Sequence, residues 1–204
     1  MNTHIIVKTI IKGEIGMKKS LAITLGIIGG LILIILIWGI STYNGIVTAE
    51  ANVEEKASTI QADLQRRADL IPNLVNTVRG YAAHEEEIFT ELADARARLG
   101  GARTIEEQEA ANTELSGALS RLLVIVENYP DLKANKNFEN LQTQLEGTEN
   151  RIKISRMDYN TAVKKYNVKL RRFPSSIIAG MFNFENADMF EGQEGIESVP
   201  EVSF

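Results

Sequence analysis

Residues Leu21 to Ile40 read LAITLGIIGGLILIILIWGI, twenty residues with no charge, no proline and nothing more polar than Thr24. At ~1.5 Å per residue a helix of that length spans about 30 Å, the thickness of a bilayer's hydrocarbon core. Everything beyond it is polar and periodic. The expected class is therefore all-α: an N-terminal transmembrane helix followed by an antiparallel four-helix bundle in water beside a membrane. Its expected parts are an N-terminal extension (1–16), a Lys-Lys flank and anchor (17–40), the bundle (41–173) and an acidic, partly apolar tail (174–204).

Upstream of the anchor, Met17-Lys18-Lys19-Ser20 reads like a natural start, with residues 1–16 as an upstream extension. Lys18 and Lys19 place positive charge before the anchor, whereas the first base after it is Lys56, behind Glu50, Glu54 and Glu55. The positive-inside rule then predicts a single-pass protein of the cytoplasmic membrane, N-terminus cytoplasmic and bundle extracytoplasmic. Trp38 and Tyr43 fall where interfacial aromatics belong. A cleaved signal peptide ending near Ala49-Glu50-Ala51 would need a shorter apolar region, ending closer to that pair. Ala22, Gly26 and Gly30 form a small-residue row at i, i+4, i+8 that lets two membrane helices approach, so a homo-oligomer is expected.

The chain carries 22 Lys+Arg against 27 Asp+Glu. With Lys8, Lys12, Lys18, Lys19 and Glu14 set aside, 18 bases face 26 acids beyond the anchor. So acidic a domain is a poor electrostatic match for nucleic acid or anionic headgroups. Cysteine is absent, which removes disulfides, thiolate metal sites and a Cys nucleophile.

Four apolar seams follow the anchor. Ile46, Val53, Ala57, Ile60 and Leu64 predict a first helix over 41–65. Ile71, Leu74, Val75, Val78, Tyr81, Ile88, Leu92, Ala95 and Leu99 predict a second, ended by Gly100-Gly101. Thr104 with Glu107 is a capping box opening a third helix, through Ile105, Leu115, Leu119, Leu122 and Val126, that stops before Pro130. A fourth starts near Asn137 and steps by 3 and 4 from Phe138 to Tyr166. The join from Gln65 to Val75, QRRADLIPNLV, predicts a tight corner or sharp kink, because Pro72 removes a donor and Asp69 could cap a new helix.

Here the chain becomes recognisable. QRRADLIPNLVNTVRGYAAHE (Gln65 to Glu85) resembles the signature of the LemA family of bacterial membrane proteins. Asp94-Ala95-Arg96-Ala97, ENYPDLK (Glu127 to Lys133), LEGTENRI (Leu145 to Ile152), Tyr159-Asn160, Tyr166-Asn167 and Phe173-Pro174-Ser175 extend the resemblance, which runs from Tyr43 to Pro174. It implies a single-pass membrane protein with a soluble helical bundle and no established enzymatic activity. Many members carry Trp where this chain has Ala57, which implies local repacking.

No catalytic, cofactor or metal residues are expected. His84, Glu87 and Glu91 would share one helix face at i, i+3, i+7, but di-iron bundles need two Glu-x-x-His pairs. A solvated acidic face is the simpler reading. No phosphate-binding Gly-rich loop is present, and an acidic run with one histidine makes no Ser-His-Asp set. Arg67, three residues after Leu64 on the seam, either pairs with Glu149 beside Thr148 or reaches water at a helix end. Tyr159 and Tyr166 read as core rings with hydroxyls at the bundle edge.

The tail from Pro174 has no base and six acids, interspersed with Ile177, Ile178, Met181, Phe182, Phe184, Met189 and Phe190. Its first half is expected to pack on the bundle, or to dock a partner, while the end past Gly192 is mobile. The functional expectation is a scaffold or adaptor acting by protein–protein interaction, with an unknown protein partner, the lipid bilayer and its own copies as partners. The rivals are a sensor signalling through a separate partner and a metal-dependent enzyme.

Overall fold

The computed structural model describes residues 3–190, with side chains from Thr24 onward. Lys18, Lys19 and Ala22 therefore lie outside the described side chains, as does the end of the tail past Phe190. Among the described residues every regular element is a helix.

The first, α1 (Thr3–Arg79), is a single helix of 77 residues, about 115 Å long. Its apolar side chains from Leu25 to Ile40 are all exposed, none covered by another part of the fold. Beyond Tyr43 the same helix acquires a buried stripe. Ile46, Val53, Ile60, Arg67 and Leu74 follow one another at seven-residue intervals, each 7% exposed or less. Four apolar residues and one cation thus share one seam.

The corner expected between Gln65 and Val75 does not exist. The helix runs through Pro72, and the chain turns instead over residues 80–85 before α2 (Glu86–Gly101) begins. Proline removes the N–H that would bond the carbonyl four residues back, here Ala68. Arg96 Nε of α2 donates to that carbonyl at 3.0 Å, so the break in the helical ladder is satisfied from outside. Asp69 accepts from Gln65 Nε2 at 2.8 Å and caps nothing.

After α2 the chain turns through residues 102–104 into α3 (Ile105–Val126). The capping box is reciprocal: Glu107 N donates to Thr104 Oγ1 at 3.2 Å, and Thr104 N to Glu107 Oε2 at 3.2 Å. Arg98–Glu114 at 2.6 Å and the fork of Arg121 on Glu91 tie α2 to α3. A one-turn helix, α4 (Pro130–Lys133), leads to α5 (Lys136–Arg171), capped by Asn135 Oδ1, which accepts from Asn137 N at 2.8 Å.

Phe138, Leu145, Ile152, Tyr159 and Tyr166 repeat every seven residues along α5 and are buried. They pack along α1 in antiparallel register. Lys169 Nζ donates to the Gly45 carbonyl, Tyr166 Oη lies 3.3 Å from Glu50, Ser155 Oγ 2.7 Å from Asp63, and Arg67 2.6 Å from Glu149. A Cβ on Gly45 would stand 2.7 Å from Lys169 Nζ, so glycine there admits the lysine head. The bundle is the upper part of α1 with α2, α3 and α5.

Past Arg171, α6 (Ser175–Met181) lies against the part of α1 nearest the apolar run. Asn183, at φ 53°, reverses the chain, and Phe184 N bonds the Ala179 carbonyl at 3.0 Å, closing a Schellman-type turn. The extended segment that follows climbs back along α5. Asn167 donates to the Ala187 carbonyl at 2.8 Å and accepts from Ala187 N at 2.9 Å; Asn160 does the same to Phe190, at 2.9 Å both ways. Seven helical residues advance about 10.5 Å and three extended ones about 10 Å, so the paired asparagines match the pitch of an extended strand. Phe190 is 5% exposed, its ring 5.3 Å from that of Tyr159 and 5.1 Å from the Arg156 guanidinium.

Candidate functional site

While α5 packs along α1, and α3 along α2, α3 and α5 stand apart. The gap is a solvent-open groove of ≈ 510 Å³. Its walls carry Leu119, Leu122 and Leu123 from α3 and Phe138 and Leu145 from α5, with Leu74 of α1 at the floor and the polar Ser120, Gln142 and Glu146 among them. Leu123 is 40% exposed although it belongs to the groove. On α5 the lining runs from Phe138 to Lys153, about 22 Å. One end is polar, formed by Arg67, Ser116, Glu149, Asn150 and Lys153.

Arg67 holds that end together. Its Nη1 lies 2.6 Å from Glu149 Oε2 on α5 and bonds Asn112 Oδ1 on α3 at 2.5 Å. The guanidinium thus bridges three helices below the open groove, and its Nε is buried without a partner. Burial lowers the Arg67 pKa from its ordinary value; Glu149 raises it and Arg156 lowers it. Glu149 is half exposed, so the pair has one dry side and one wet side. Arg156 Nη1 reaches within 3.8 Å of Glu109, a second link between α5 and α3.

Of the two expectations for Arg67, pairing with Glu149 and reaching water at a helix end, the structure has the first, because α1 does not end there. Asn112 is a partner that sequence reading missed, although it takes a position of the α3 seam itself, seven residues after Ile105 and seven before Leu119, and is buried there. The groove left a weak signal. Leu123 adds apolar surface beside the seam residue Leu122, more than packing against α2 requires.

The residues expected at the membrane fall into two groups. Trp38 faces outward from α1 at 37% exposure. Tyr43 is instead half-buried, its ring 4.7 Å from that of Phe182 and 5.7 Å from that of Phe184. Gly26 and Gly30 lie on a bare stretch of helix, with nothing within 4 Å of a Cβ placed at either. His84 sits in the turn before α2 rather than on a helix face with Glu87 and Glu91. Among the described residues no three His, Asp or Glu side chains converge as metal ligands.

The LemA family model matches residues 56–204. The chain is 27% identical to magnetosome protein MamQ 2 of Paramagnetospirillum magneticum, over 73% of this chain and 64% of that protein. It is 28% identical to magnetosome protein MamQ of Magnetospirillum gryphiswaldense, over 72% and 64% of the two chains. Identity to protein LemA of Metamycoplasma hominis is 23%, over 74% and 69%. The chain thus spans 64% of the length of the magnetosome proteins it matches. The residues that line the groove, from Arg67 on α1 to Lys153 on α5, all lie inside the family match. This chain is a membrane-associated helical protein and belongs to the LemA family.

Proposed function

We propose that this protein is a membrane-anchored adaptor, acting by binding rather than catalysis, whose α3–α5 groove receives an apolar helical segment of a partner protein. The groove carries the reading: about 22 Å long, with leucine and phenylalanine side chains along one half and polar ones along the other, it matches some four turns of an amphipathic helix. The polar end at Arg67, Glu149 and Lys153 would set that helix's direction. The anchor runs once through the cytoplasmic membrane, N-terminus inside and bundle outside, as Lys18, Lys19 and the acids after Ile40 favour. The row Ala22, Gly26 and Gly30 associates two copies; the open space around both glycines supports this.

In-cell photo-crosslinking tests the adaptor reading. A photoreactive residue at Gln142 in the groove should yield a discrete heterologous product, mapped by mass spectrometry to an apolar helical segment. The same probe at Ala93, on the exposed side of α2, should not, and Leu123→Glu should abolish the product. Equal products from Gln142 and Ala93, or none from Gln142, would overturn the proposal.

The groove volume supports one second reading. At ≈ 510 Å³ it lies within the range of small-molecule sites, about 300–1,000 Å³, so a sensor for a small apolar ligand would use the same walls. Native mass spectrometry would then find a stoichiometric small-molecule adduct that Leu123→Glu removes.

A further inference from the structure

The corner between α5 and α6 lies level with the end of the apolar run of α1. Ile178 Cδ1 is 3.9 Å from the position of a Cβ on Gly39, the last residue but one of that run. Phe182 packs its ring at a tilt against that of Tyr43 just above. Ile178 and Ala179 face inward and pack. The outward side carries Ile177 at 52%, Met181 at 70% and Phe182 at 56% exposure, with Phe173 at 77% beside them. Four large apolar side chains thus crowd one tip of the bundle. Arg171 and Arg172, both exposed, immediately precede them.

A scatter of exposed apolar residues is ordinary, but a contiguous patch is a site of contact. The level of this patch decides what it touches. If residues 21–40 lie in the hydrocarbon, Gly39 is at its boundary, and α6 sits beside it in the headgroup layer. We infer that the α5–α6 corner is a second membrane contact, a wedge seated in the headgroup layer of the leaflet from which α1 emerges. Phe173, Ile177, Met181 and Phe182 reach the acyl boundary, and Arg171 and Arg172 meet lipid phosphates. Charge agrees with this in an otherwise acidic domain. Past Asn183 the chain turns back, and carries Glu185 and Asp188 up along α5, away from the lipid.

A single helix tethers the bundle but leaves its tilt against the membrane free. A second contact beside the first fixes that tilt, and with it the inclination at which the α3–α5 groove opens to solvent. The wedge stands independently of what that groove binds.

Trp38 is the chain's one tryptophan, which supplies a built-in reference for the test. The full chain is reconstituted in phosphatidylcholine vesicles, with and without phosphatidylglycerol, containing lipid brominated on its acyl chains. Wild-type Trp38 fluorescence reports the anchor. Met181→Trp in a Trp38→Phe background reports the wedge, and Ala83→Trp in the same background reports the distal end of the bundle. The expected result is quenching of Met181→Trp severalfold above that of Ala83→Trp, increasing with phosphatidylglycerol. Quenching of Trp38 with Met181→Trp no more quenched than Ala83→Trp would overturn the wedge and leave the anchor standing. Quenching of neither Trp38 nor Met181→Trp would overturn both. A Met181→Trp probe that bromolipid does not quench but that is shielded from aqueous iodide would put a second protein surface there, and the wedge would again fail.

Discussion

Arg96 Nε donates at 3.0 Å to the carbonyl of Ala68, the group that Pro72 leaves without its helical partner. Two segments by which the family is recognised, LIPNLV on α1 and DARA on α2, are therefore one structural device. The proline opens the ladder and the arginine closes it, tying α2 to α1 at that level. A buried carbonyl left unpaired costs about 1–3 kcal/mol, so Arg96→Met should destabilise by an amount in that range. Pro72→Ala restores the helical N–H and should stabilise by about 1–3 kcal/mol. In the Pro72→Ala background the Arg96→Met loss should shrink by at least half. A double-mutant cycle in urea measures this coupling, and additive losses would break the link.

The Arg67 bridge invites a second test. Arg67 takes one position of a seven-residue series that is otherwise apolar, so it desolvates a charge in the seam. Removing only its acceptor is the harmful change: Glu149→Leu should cost about 1–2 kcal/mol, modest because Glu149 is half exposed. Removing the buried polar set together should not be harmful. Arg67→Met with Asn112→Met should be neutral or stabilising in thermal unfolding, with broader amide signals if the bridge sets register. A loss larger than that of Glu149→Leu would show that the polar set stabilises the bundle outright.

The asparagine pair on α5 makes a third prediction. Asn160 and Asn167 each supply a donor and an acceptor to one residue of the returning tail. Loss of either pair should free the segment locally and leave the bundle folded. Asn167→Ala should speed amide exchange at Ala187 on the order of 10–100-fold, the equivalent of about 1.4–2.8 kcal/mol. Exchange at Phe190 should rise less. Unchanged protection at Ala187 would mean that packing of Phe184 and Phe190 alone holds the tail.

These features differ in how far they could be read in advance, and the difference is one of range. The Thr104–Glu107 box was legible because donor and acceptor are three residues apart and the motif is complete in itself. The α5 seam was legible because an apolar or aromatic residue recurs every seven, from Phe138 to Tyr166. The corner at Pro72 is absent because Arg96, 28 positions from the Ala68 carbonyl, offsets the proline, and no local pattern announces it. The clamp on the tail was hidden for the same reason: Tyr159-Asn160 and Tyr166-Asn167 read as core residues with polar neighbours. Only the returning extended segment gives the asparagines their purpose. The groove depends on what α3 and α5 fail to do, and a helix periodicity cannot report a missing neighbour.

The last prediction concerns alkaline pH. Tyr166 is buried against α1 with its hydroxyl 3.3 Å from Glu50 Oε1. Burial, and then the Glu50 carboxylate, push its phenol from 10.0 up to about 12. A group whose pKa is higher folded than unfolded keeps its full contribution below the unfolded value. That contribution is lost as pH rises through the folded one. The Tyr166 share of stability should therefore be intact below pH 10.0 and fade on the way to about 12. Tyr166→Phe keeps the ring and has nothing to ionise. Its melting temperature, measured beside the wild type, should be equal or slightly lower at neutral pH and overtake it as the pH climbs past 10.0. Parallel curves across that window would mean that Tyr166 ionises as easily folded as unfolded, and the buried contact with Glu50 would have to be abandoned.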